Sequence, residues 1–235
     1  LAKISAKTTL GVALSEQVIP EPTKGHICVK APVFPFIKLV GLDPAPGPEM
    51  KSTGEVMGSD ITAERAYLKA RLATEIPVAT SGGVYLTVRD EDKQALLPLA
   101  RKLESNGFEL FATPGTSDAL RKNSIQVKTA YRINEPGHPD ALDLMHQGKI
   151  QFIINVPTIS GGAVRDGNIM RRLAVEMNIP FVTTISGGKM EVAAILEARK
   201  GTLKPLKLQV NYQTIKNKTK SKNIASDSSK YLGQA

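Results

Sequence analysis

The stretch Phe108-Glu109-Leu110-Phe111-Ala112-Thr113-Pro114-Gly115-Thr116 reveals the fold class most directly. Residues 108–112 are mostly apolar, which predicts a short buried strand. Residues 113–116 then supply a turn, and we predict a helix that begins at Thr116. A strand that leads at once into a helix is typical of parallel sheets, because parallel neighbours are usually joined by a helical crossover.

The same alternation of strands and helices continues on both sides of this stretch. Short β-rich runs predict four more strands, at residues 84–88, 127–131, 152–156 and 180–184. The spacing of apolar residues predicts helices at 61–72, with Thr62 as its cap, and at 92–105, 139–147, 166–177 and 189–199. We therefore predict an α/β fold, a Rossmann-like layer of five parallel strands between helices.

Residues 1–58 have a different character. Residues 1–14 predict one short helix, and residues 29–40 predict an extended apolar segment that suits an edge strand, since prolines interrupt it. The run 46–58, with three glycines and two prolines, has no helical or strand period, so we expect its shape to depend on another part of a larger domain. Glu49 and Glu55 in this run are expected to pack and hydrogen-bond in a tight loop.

The positive charge of the chain is concentrated at one end. The 235 residues have a net charge of +9, but residues 199–235 carry nine basic side chains and one acid, which leaves residues 1–198 close to neutral. Such a tail is typical of a solvated, disordered end. Aromatic residues make up only 5% of the chain and offer few platforms for stacking bases, so we expect no specific binding of nucleic acid.

Other features narrow the class of protein. Hydrophobic residues make up 41% of the chain and charged residues 23%, as in ordinary globular proteins. No apolar run approaches the ~20 residues that span a bilayer, so no membrane partner is expected. The single cysteine, Cys28, fits a reducing compartment, and we predict a cytoplasmic location. With three histidines in the chain, no metal site is predicted.

Polar and basic residues follow the ends of the predicted strands. Ligands of a doubly wound sheet bind beyond the carboxyl ends of its strands, so we expect these side chains to meet around an anion. Hydroxyl, amide and backbone N–H groups donate hydrogen bonds there, and cations neutralise charge. The candidate residues are Lys93, Thr113, Gly115, Thr116, Arg132 and Asn155. The alternative is that Thr116 only caps its helix and that the charges are solvated.

Several of these stretches also carry a family resemblance. They are Thr87-Val88-Arg89-Asp90-Glu91-Asp92-Lys93, residues 107–116, Ile153-Ile154-Asn155, Arg171-Arg172 and Thr183-Thr184. Through them, residues 80–200 resemble the methylglyoxal-synthase-like domain at the C-terminal end of the large subunit of carbamoyl phosphate synthase. Residues 33–36, 41–44 and 46–58 resemble the end of the second ATP-grasp unit of the same subunit.

The resemblance implies four regions in the chain. Residues 1–58 are expected to be the C-terminal remnant of an ATP-grasp domain, and residues 59–80 a connecting helix and linker. Residues 81–200 are expected to be the methylglyoxal-synthase-like allosteric domain. Residues 201–235 are expected to be a basic, disordered tail.

The family's allosteric domain binds a phosphorylated effector, namely UMP, IMP or phosphoribosyl pyrophosphate. The resemblance implies that Lys93, Thr113, Thr116 and Asn155 contact it, and Arg132 stands where relatives usually carry lysine. Pro157 replaces a hydroxyl residue of some relatives, which argues against strong control by a pyrimidine nucleotide.

Some relatives also bind ornithine beside this domain. Ala31 and Phe181 stand where those relatives carry a glutamate and a tyrosine of the ornithine site. Without the carboxylate, an ammonium group loses its natural partner, so ornithine activation is not expected.

The family's enzyme is a ligase that makes carbamoyl phosphate from bicarbonate, glutamine-derived ammonia and ATP, with magnesium, for arginine and/or pyrimidine synthesis. The resemblance implies two protein partners, the ATP-grasp remainder of the large subunit and the glutaminase small subunit. It also leaves room for oligomerisation through the allosteric domain. Residues that bind ATP or magnesium are not identifiable in this chain, so we expect it to need no cofactor itself and to be regulatory rather than catalytic.

Three alternatives remain open. A free-standing methylglyoxal synthase-type enzyme, acting on a small phosphate ester, needs carboxylate and histidine groups; the loop 160–167 keeps Asp166 but has no histidine, and His138 is distant in sequence. The second alternative is the nucleotide-closing domain of purine biosynthesis, but that family lacks the signature that this chain carries as Glu49 and Glu55. A nucleic-acid-binding module would rely on the lysines of residues 200–235.

Overall fold

A computed structural model describes residues 2–19, 27–36, 38, 42–45, 51–74, 76–133, 136–157 and 162–203. Residues 2–19 belong to one compact unit, and the described residues from Ile27 onward belong to a second. The predicted region boundaries at residues 58, 80 and 200 stay predictions, and residues 27–58 share their compact unit with residues 59–203. Most of the predicted tail, from residue 204, lies outside the described residues. No helix in the described ranges is long and apolar enough to cross a membrane.

The first unit contains helix α1 (Ala2–Thr9) and a 3-10 turn at Leu14–Glu16. The helix ends five residues before the predicted end at residue 14, and none of its residues is buried. Gln17 Nε2 donates hydrogen bonds to Thr8 Oγ1 at 3.0 Å and to Val12 O at 3.1 Å. Local polar contacts therefore hold this segment, since a short helix without a buried face has little other stabilisation.

The second unit begins with an antiparallel pair of strands, β1 (Ile27–Val33) and β2 (Gly54–Asp60). Residues 54–58 of the run 46–58 thus form a strand although the run shows no strand period, while residues 46–50 lie outside the described residues. Glu55 lies in this strand and not in a tight loop, and Lys30 Nζ contacts its Oε1 at 2.7 Å across the pair. Glu49 lies outside the described residues. β1 accounts for residues 29–33 of the predicted extended segment.

Helix α2 (Ala63–Leu72) packs against this strand pair and begins as predicted, since Thr62 Oγ1 accepts a hydrogen bond from Arg65 N. Strand β2 was hard to recognise because its apolar content is low. Its last three residues, Gly58, Ser59 and Asp60, are nevertheless buried. A glycine-containing strand lets a helix backbone approach closely, which the hydrophobic pattern does not reveal.

Gly58 should tolerate no side chain, whereas Gly54 in the same strand should. A Cβ atom at Gly58 would lie 2.0 Å from Ala66 O and 2.4 Å from Ala70 N, which are backbone atoms of α2. We expect Gly58→Ala to lower the free energy of unfolding by about 3 kcal/mol or more, measured by urea denaturation. Gly54→Ala is the matched control, because nothing lies within 4 Å of its Cβ position. Equal losses in the two variants would contradict this packing.

The centre of the second unit is a parallel sheet of five strands. They are β3 (Gly83–Thr87), β4 (Glu109–Ala112), β5 (Lys128–Thr129), β6 (Ile150–Asn155) and β7 (Phe181–Val182). The predicted five-stranded parallel sheet is confirmed, with the order β5-β4-β3-β6-β7. The order reverses between β3 and β6, and such a reversal opens a crevice beyond the carboxyl ends of the strands.

Helices cover both faces of this sheet. They are α3 (Lys93–Ser105), α4 (Pro114–Lys122), α5 (Ala141–His146), α6 (Gly162–Glu176) and α7 (Ile185–Arg199). Successive side chains of a strand point to opposite faces. Val84 and Leu86 accordingly share a core with apolar residues of α3, α4 and α7. Tyr85 between them shares a second core with apolar residues of α5 and α6. The predicted placement of the sheet between helices is thus confirmed.

Three of these helices begin earlier than predicted. α4 begins at Pro114 rather than Thr116, and proline suits the first position of a helix. α6 begins at Gly162 rather than residue 166, and α7 begins at Ile185 rather than residue 189. The first turns of α6 and α7 contain glycines, which interrupt the apolar spacing on which the prediction rested.

Candidate functional site

A cavity of about 520 Å³ opens where the order of the strands reverses. Thr87 and Asn155, the last residues of β3 and β6, both line it. Ala141 of α5 and Met170 of α6 lie on its wall and add apolar surface. This volume is within the range of cavities that bind small ligands.

The structure brings the six predicted binding residues to this edge of the sheet, but only half of them line the cavity. The residues on its wall are Thr113, Arg132 and Asn155. Lys93, Gly115 and Thr116 lie beside the wall. Thr113 Oγ1 donates a hydrogen bond to Thr116 Oγ1 at 3.1 Å, and a Cβ atom on Gly115 would lie 3.2 Å from Lys93 Nζ. The predicted set is therefore contiguous around one end of the cavity.

The start of α4 offers backbone donors at this end. Thr113 occupies the position before the helix, and its side chain accepts no hydrogen bond from the helix. The idea that Thr116 caps the helix is wrong, because Thr116 lies in the first turn and is 1% exposed. Pro114 has no N–H, so the N–H groups of Gly115 and Thr116 are the ones that the helix does not use. They are well placed for an anion.

Carboxylates already neutralise two basic residues at the mouth of the cavity. Lys93 Nζ contacts Asp90 Oδ1 at 2.6 Å, and Arg89 Nε donates a hydrogen bond to Asp92 Oδ2. The hydrogen bond from Lys93 and its charge, together with the charge of Arg132, lower the pKa of Asp90 below 3.8. The Asp90 carboxylate thus lies within the field of two predicted binding cations. An incoming anion has to compete with it.

A buried arginine, which the predicted set did not include, holds Asn155. Arg171 of α6 is 1% exposed, and its Nη1 donates to Asn155 Oδ1. Its Nε donates to Asp43 Oδ1 at 2.8 Å, and its Nη2 donates to Asp43 Oδ2. Arg171 lies one residue after Met170 and three before Ala174, both of which are in the core. An arginine at such a position of a helical pattern is the signal that could have drawn attention to it.

Asp43 keeps its charge in this pair. Burial alone would raise the pKa of Asp43, but the hydrogen bonds and charge of Arg171 lower it below 3.8. The N–H of Ala45, which donates to Asp43 Oδ1 at 2.9 Å, acts in the same direction. Two charges that are both partly withdrawn from water are therefore paired and hydrogen-bonded.

Three possible metal ligands lie together elsewhere in the described residues, with His138, Asp140 and Asp143 within 4.8 Å of one another. Asp140 and Asp143 form the capping box of α5, and His138 Nδ1 contacts Asp143 Oδ2 at 2.7 Å. The hydrogen bond with Asp143 raises the pKa of His138. These contacts account for the cluster without a metal, and the predicted lack of a metal site stays a prediction. Asp166 lines the large cavity, whereas His138 is outside its lining.

A second cavity, of about 390 Å³, is lined by residues of β1, α2, β7 and α7. Ala31 and Phe181, which are predicted to stand where some relatives carry ornithine-site residues, both line it. Glu191 on its wall is 1% exposed, and Arg71 Nε and Tyr67 Oη donate hydrogen bonds to its Oε2 at 2.8 Å each. Burial and the charge of Glu191 raise the pKa of Tyr67. The carboxylate of Glu191 is thus already paired with donors of this chain. The expectation of no ornithine activation stays a prediction.

Comparison with known proteins adds a family to this geometry. Residues 95–183 match the family described as MGS-like domain. A carbamoyl phosphate synthase large chain, C-terminal section, from Methanopyrus kandleri is 43% identical over 201 residues, which cover 83% of this chain and 37% of that protein. The corresponding section from Methanocaldococcus jannaschii is 40% identical over 232 residues, covering 93% of this chain and 37% of that protein.

A longer relative gives the same result. The carbamoyl phosphate synthase large chain of Methanosarcina acetivorans is 42% identical over 202 residues, which cover 86% of this chain and 19% of that protein. The chain thus spans well under half of each of these relatives. The sheet, the family match and these identities agree: residues 95–183 match the MGS-like domain, and most of the chain is similar to C-terminal sections of carbamoyl phosphate synthase large chains.

Proposed function

We propose that this chain is the allosteric, effector-binding C-terminal region of a carbamoyl phosphate synthase large subunit. Its parent enzyme makes carbamoyl phosphate from bicarbonate, glutamine-derived ammonia and ATP, for arginine or pyrimidine synthesis. The observation that carries this proposal is the cavity at the strand-order reversal, with Thr113, Arg132 and Asn155 on its wall. The ligand is a phosphorylated, nucleotide-like metabolite of the kind represented by UMP, IMP and phosphoribosyl pyrophosphate.

The phosphate of this ligand binds at the start of α4. The N–H groups of Gly115 and Thr116 are the donors that the helix leaves without partners, and the helix dipole favours an anion there. Lys93 Nζ lies close enough to Gly115 that a Cβ atom would come within 3.2 Å of it. Glycine at this position thus keeps the ammonium group and the backbone donors together. Arg132 approaches from the end of the next strand.

The rest of the ligand occupies the apolar part of the cavity. Tyr85, Ile133 and Met170 line this part, and they are suited to a ring system rather than to a second phosphate. Asn155 is 5% exposed and provides amide donors that fix orientation. A cavity of about 520 Å³ has room for both a sugar phosphate and a base.

Regulation rather than catalysis is favoured by what the cavity brings together. A methylglyoxal synthase-type reaction on a small phosphate ester needs both carboxylate and histidine groups within hydrogen-bond reach of the substrate. Asp166 lines the cavity, but the side chain of His138 is 82% exposed, is paired with Asp143 and lies outside the lining. We therefore assign the chemistry to the ATP-grasp remainder and the glutaminase subunit, which are the partners of this chain in the parent enzyme. ATP and magnesium act there.

The test uses the large subunit assembled with its glutaminase subunit. The rate of carbamoyl phosphate synthesis is measured with and without UMP, IMP and phosphoribosyl pyrophosphate. We expect at least one of them to change the rate of the wild type, and Thr116→Ala to remove that response. Ser117→Ala is the matched control, because its equally buried hydroxyl already donates to Ala112 O at 2.9 Å. A Thr116→Ala enzyme with a full response would contradict the assignment of this pocket.

Asp90 should weaken the binding of a phosphorylated ligand, because it competes for Lys93. We expect Asp90→Asn to tighten the binding of such a ligand about two- to fivefold, the range of an exposed ion pair. Glu91→Gln is the matched control, since Glu91 is 79% exposed and lies 3.8 Å from Arg89 Nε. Calorimetric titration of the two variants measures the difference. Equal affinities would show that Asp90 does not occupy the position of the anion.

A further inference from the structure

We propose that Arg171 is a positioning residue for the ligand of the large cavity, and that Asp43 holds Arg171 in that role. This inference rests on the proposed function, because it concerns the same cavity. It adds a residue from outside the sheet, Asp43, to the determinants of ligand affinity.

The first step is the orientation of Asn155. A guanidinium group carries only donors, so the atom of Asn155 that faces Arg171 Nη1 is the carbonyl oxygen Oδ1. The amide Nδ2 is therefore turned away from Arg171. Asn155 lines the cavity and is 5% exposed. Without Arg171, the amide could rotate by half a turn and present an acceptor in place of a donor.

The second step is the immobility of Arg171. Its side chain is 1% exposed, and three hydrogen bonds and one steric limit restrict its position. Two hydrogen bonds run to the carboxylate of Asp43 and one to Asn155. The steric limit is at Gly167, where an added Cβ atom would lie 2.8 Å from Arg171 Nη1. Glycine on the preceding turn of α6 thus leaves just enough space for the guanidinium.

The third step links the cavity to a remote part of the chain. Asp43 precedes Arg171 by 128 residues and belongs to the described segment 42–45. Asp43 is itself tied to this segment by the N–H of Ala45. A ligand that accepts a hydrogen bond from Asn155 stabilises the arrangement that Asp43 maintains. By thermodynamic linkage, the factor by which the ligand stabilises this arrangement is also the factor by which loss of the Asp43 contact lowers the affinity for the ligand.

The experiment changes Asp43 rather than Arg171, because a variant of the buried arginine risks unfolding. The 235-residue chain is titrated calorimetrically with UMP, IMP and phosphoribosyl pyrophosphate. Asp43→Asn keeps the size of the side chain but leaves one acceptor oxygen for the donors of Arg171 and Ala45. We expect it to lower the affinity for the tightest-binding of the three ligands about fivefold or more, which is the effect of one misaligned hydrogen bond.

Asp60→Asn is the matched control. Asp60 is also a partly buried carboxylate that accepts from a backbone N–H, that of Ile61 at 2.7 Å, and pairs with basic residues, Arg65 and Lys69. Its pKa is lowered in the same way, but it lies outside the lining of the large cavity. Asp60→Asn should lower the free energy of unfolding by about as much as Asp43→Asn does. It should change the ligand affinity less than twofold. A second readout is the side-chain amide NMR signal of Asn155, assigned with Asn155→Ala, which should shift in Asp43→Asn and not in Asp60→Asn.

The outcomes separate the two proposals. If Asn155→Ala weakens binding but Asp43→Asn binds like Asp60→Asn, Arg171 and Asp43 have no positioning role, and the proposed function stands. An unchanged amide signal of Asn155 in Asp43→Asn likewise overturns the positioning role. If the wild-type chain binds none of the three ligands, the proposed function fails, and this inference fails with it.

Discussion

Replacing Arg171 with alanine should lower the free energy of unfolding by roughly 3–5 kcal/mol, the cost of removing one partner from a buried ion pair. The change leaves the carboxylate of Asp43 and the carbonyl of Asn155 without their donors. It also leaves a space where a fully buried side chain was packed. The side chain of Asp43 is 32% exposed, so water compensates part of the loss and places the expected value near the lower limit. Urea denaturation of the 235-residue chain measures the difference.

Arg172→Ala is the natural control, because it removes the same side chain one position along α6. Arg172 Nη1 donates to Phe36 O at 3.3 Å, and its Nη2 lies 3.6 Å from the exposed Glu176. We expect this variant to cost about 1 kcal/mol or less. Similar losses in the two variants would contradict the role given to Arg171.

The pH dependence of these losses gives an independent check. The pKa of Asp43 is lower in the folded chain than its ordinary value of 3.8, so its ionised form contributes stability above that pH. This contribution is lost as the pH falls through the lower, folded-state pKa. The stability difference between wild type and Arg171→Ala should therefore be constant from neutral pH down to about pH 5 and shrink below pH 3.8.

Replacing Lys93 with methionine should weaken the binding of a phosphorylated ligand roughly tenfold to a hundredfold. Methionine keeps the length and the apolar stem of the side chain but removes the ammonium group beside Gly115. A hydrogen bond to a charged group contributes about 1.5–3 kcal/mol, and each 1.4 kcal/mol is a tenfold change in affinity. Calorimetric titration at low ionic strength measures this loss most sharply, because salt screens the interaction.

Lys102→Met is the control for this prediction. Lys102 is exposed, lies in the last turn of the same helix α3, and is outside the lining of the large cavity. It should bind the ligand like the wild type, apart from a small change due to net charge. Equal losses in the two variants would mean that the total charge of the chain attracts the ligand and that Lys93 does not contact it.

The centre of the sheet could be predicted because β3, β4 and β6 are short, mainly apolar runs that are largely buried on both faces. Residues 152–154 of β6 and residues 110–112 of β4 are all apolar, as expected for strands covered by helices on both sides. Strand β2 could not be predicted in this way. Its residues Gly54-Glu55-Val56-Met57-Gly58-Ser59-Asp60 pair with β1 and pack against α2, so tertiary contacts override a weak local preference.

The candidate site was predictable in part, because the carboxyl ends of parallel strands must meet at one edge. That rule brought Thr113, Arg132 and Asn155 to the same cavity. It missed the start of α4, where Pro114 rather than Thr116 begins the helix, so the helix and its free N–H groups begin two residues earlier than expected. It also missed Asp43 and Arg171, because nothing local relates two residues that are 128 positions apart.

The most direct test of the central claim is calorimetric titration of the 235-residue chain with UMP, IMP and phosphoribosyl pyrophosphate, each in wild type and in Lys93→Met. We expect one saturable site for at least one of these ligands, with an affinity that falls in the variant. Titrations of the wild type that show no saturable binding to any of the three would contradict it. A ligand that binds both chains with equal affinity would do the same.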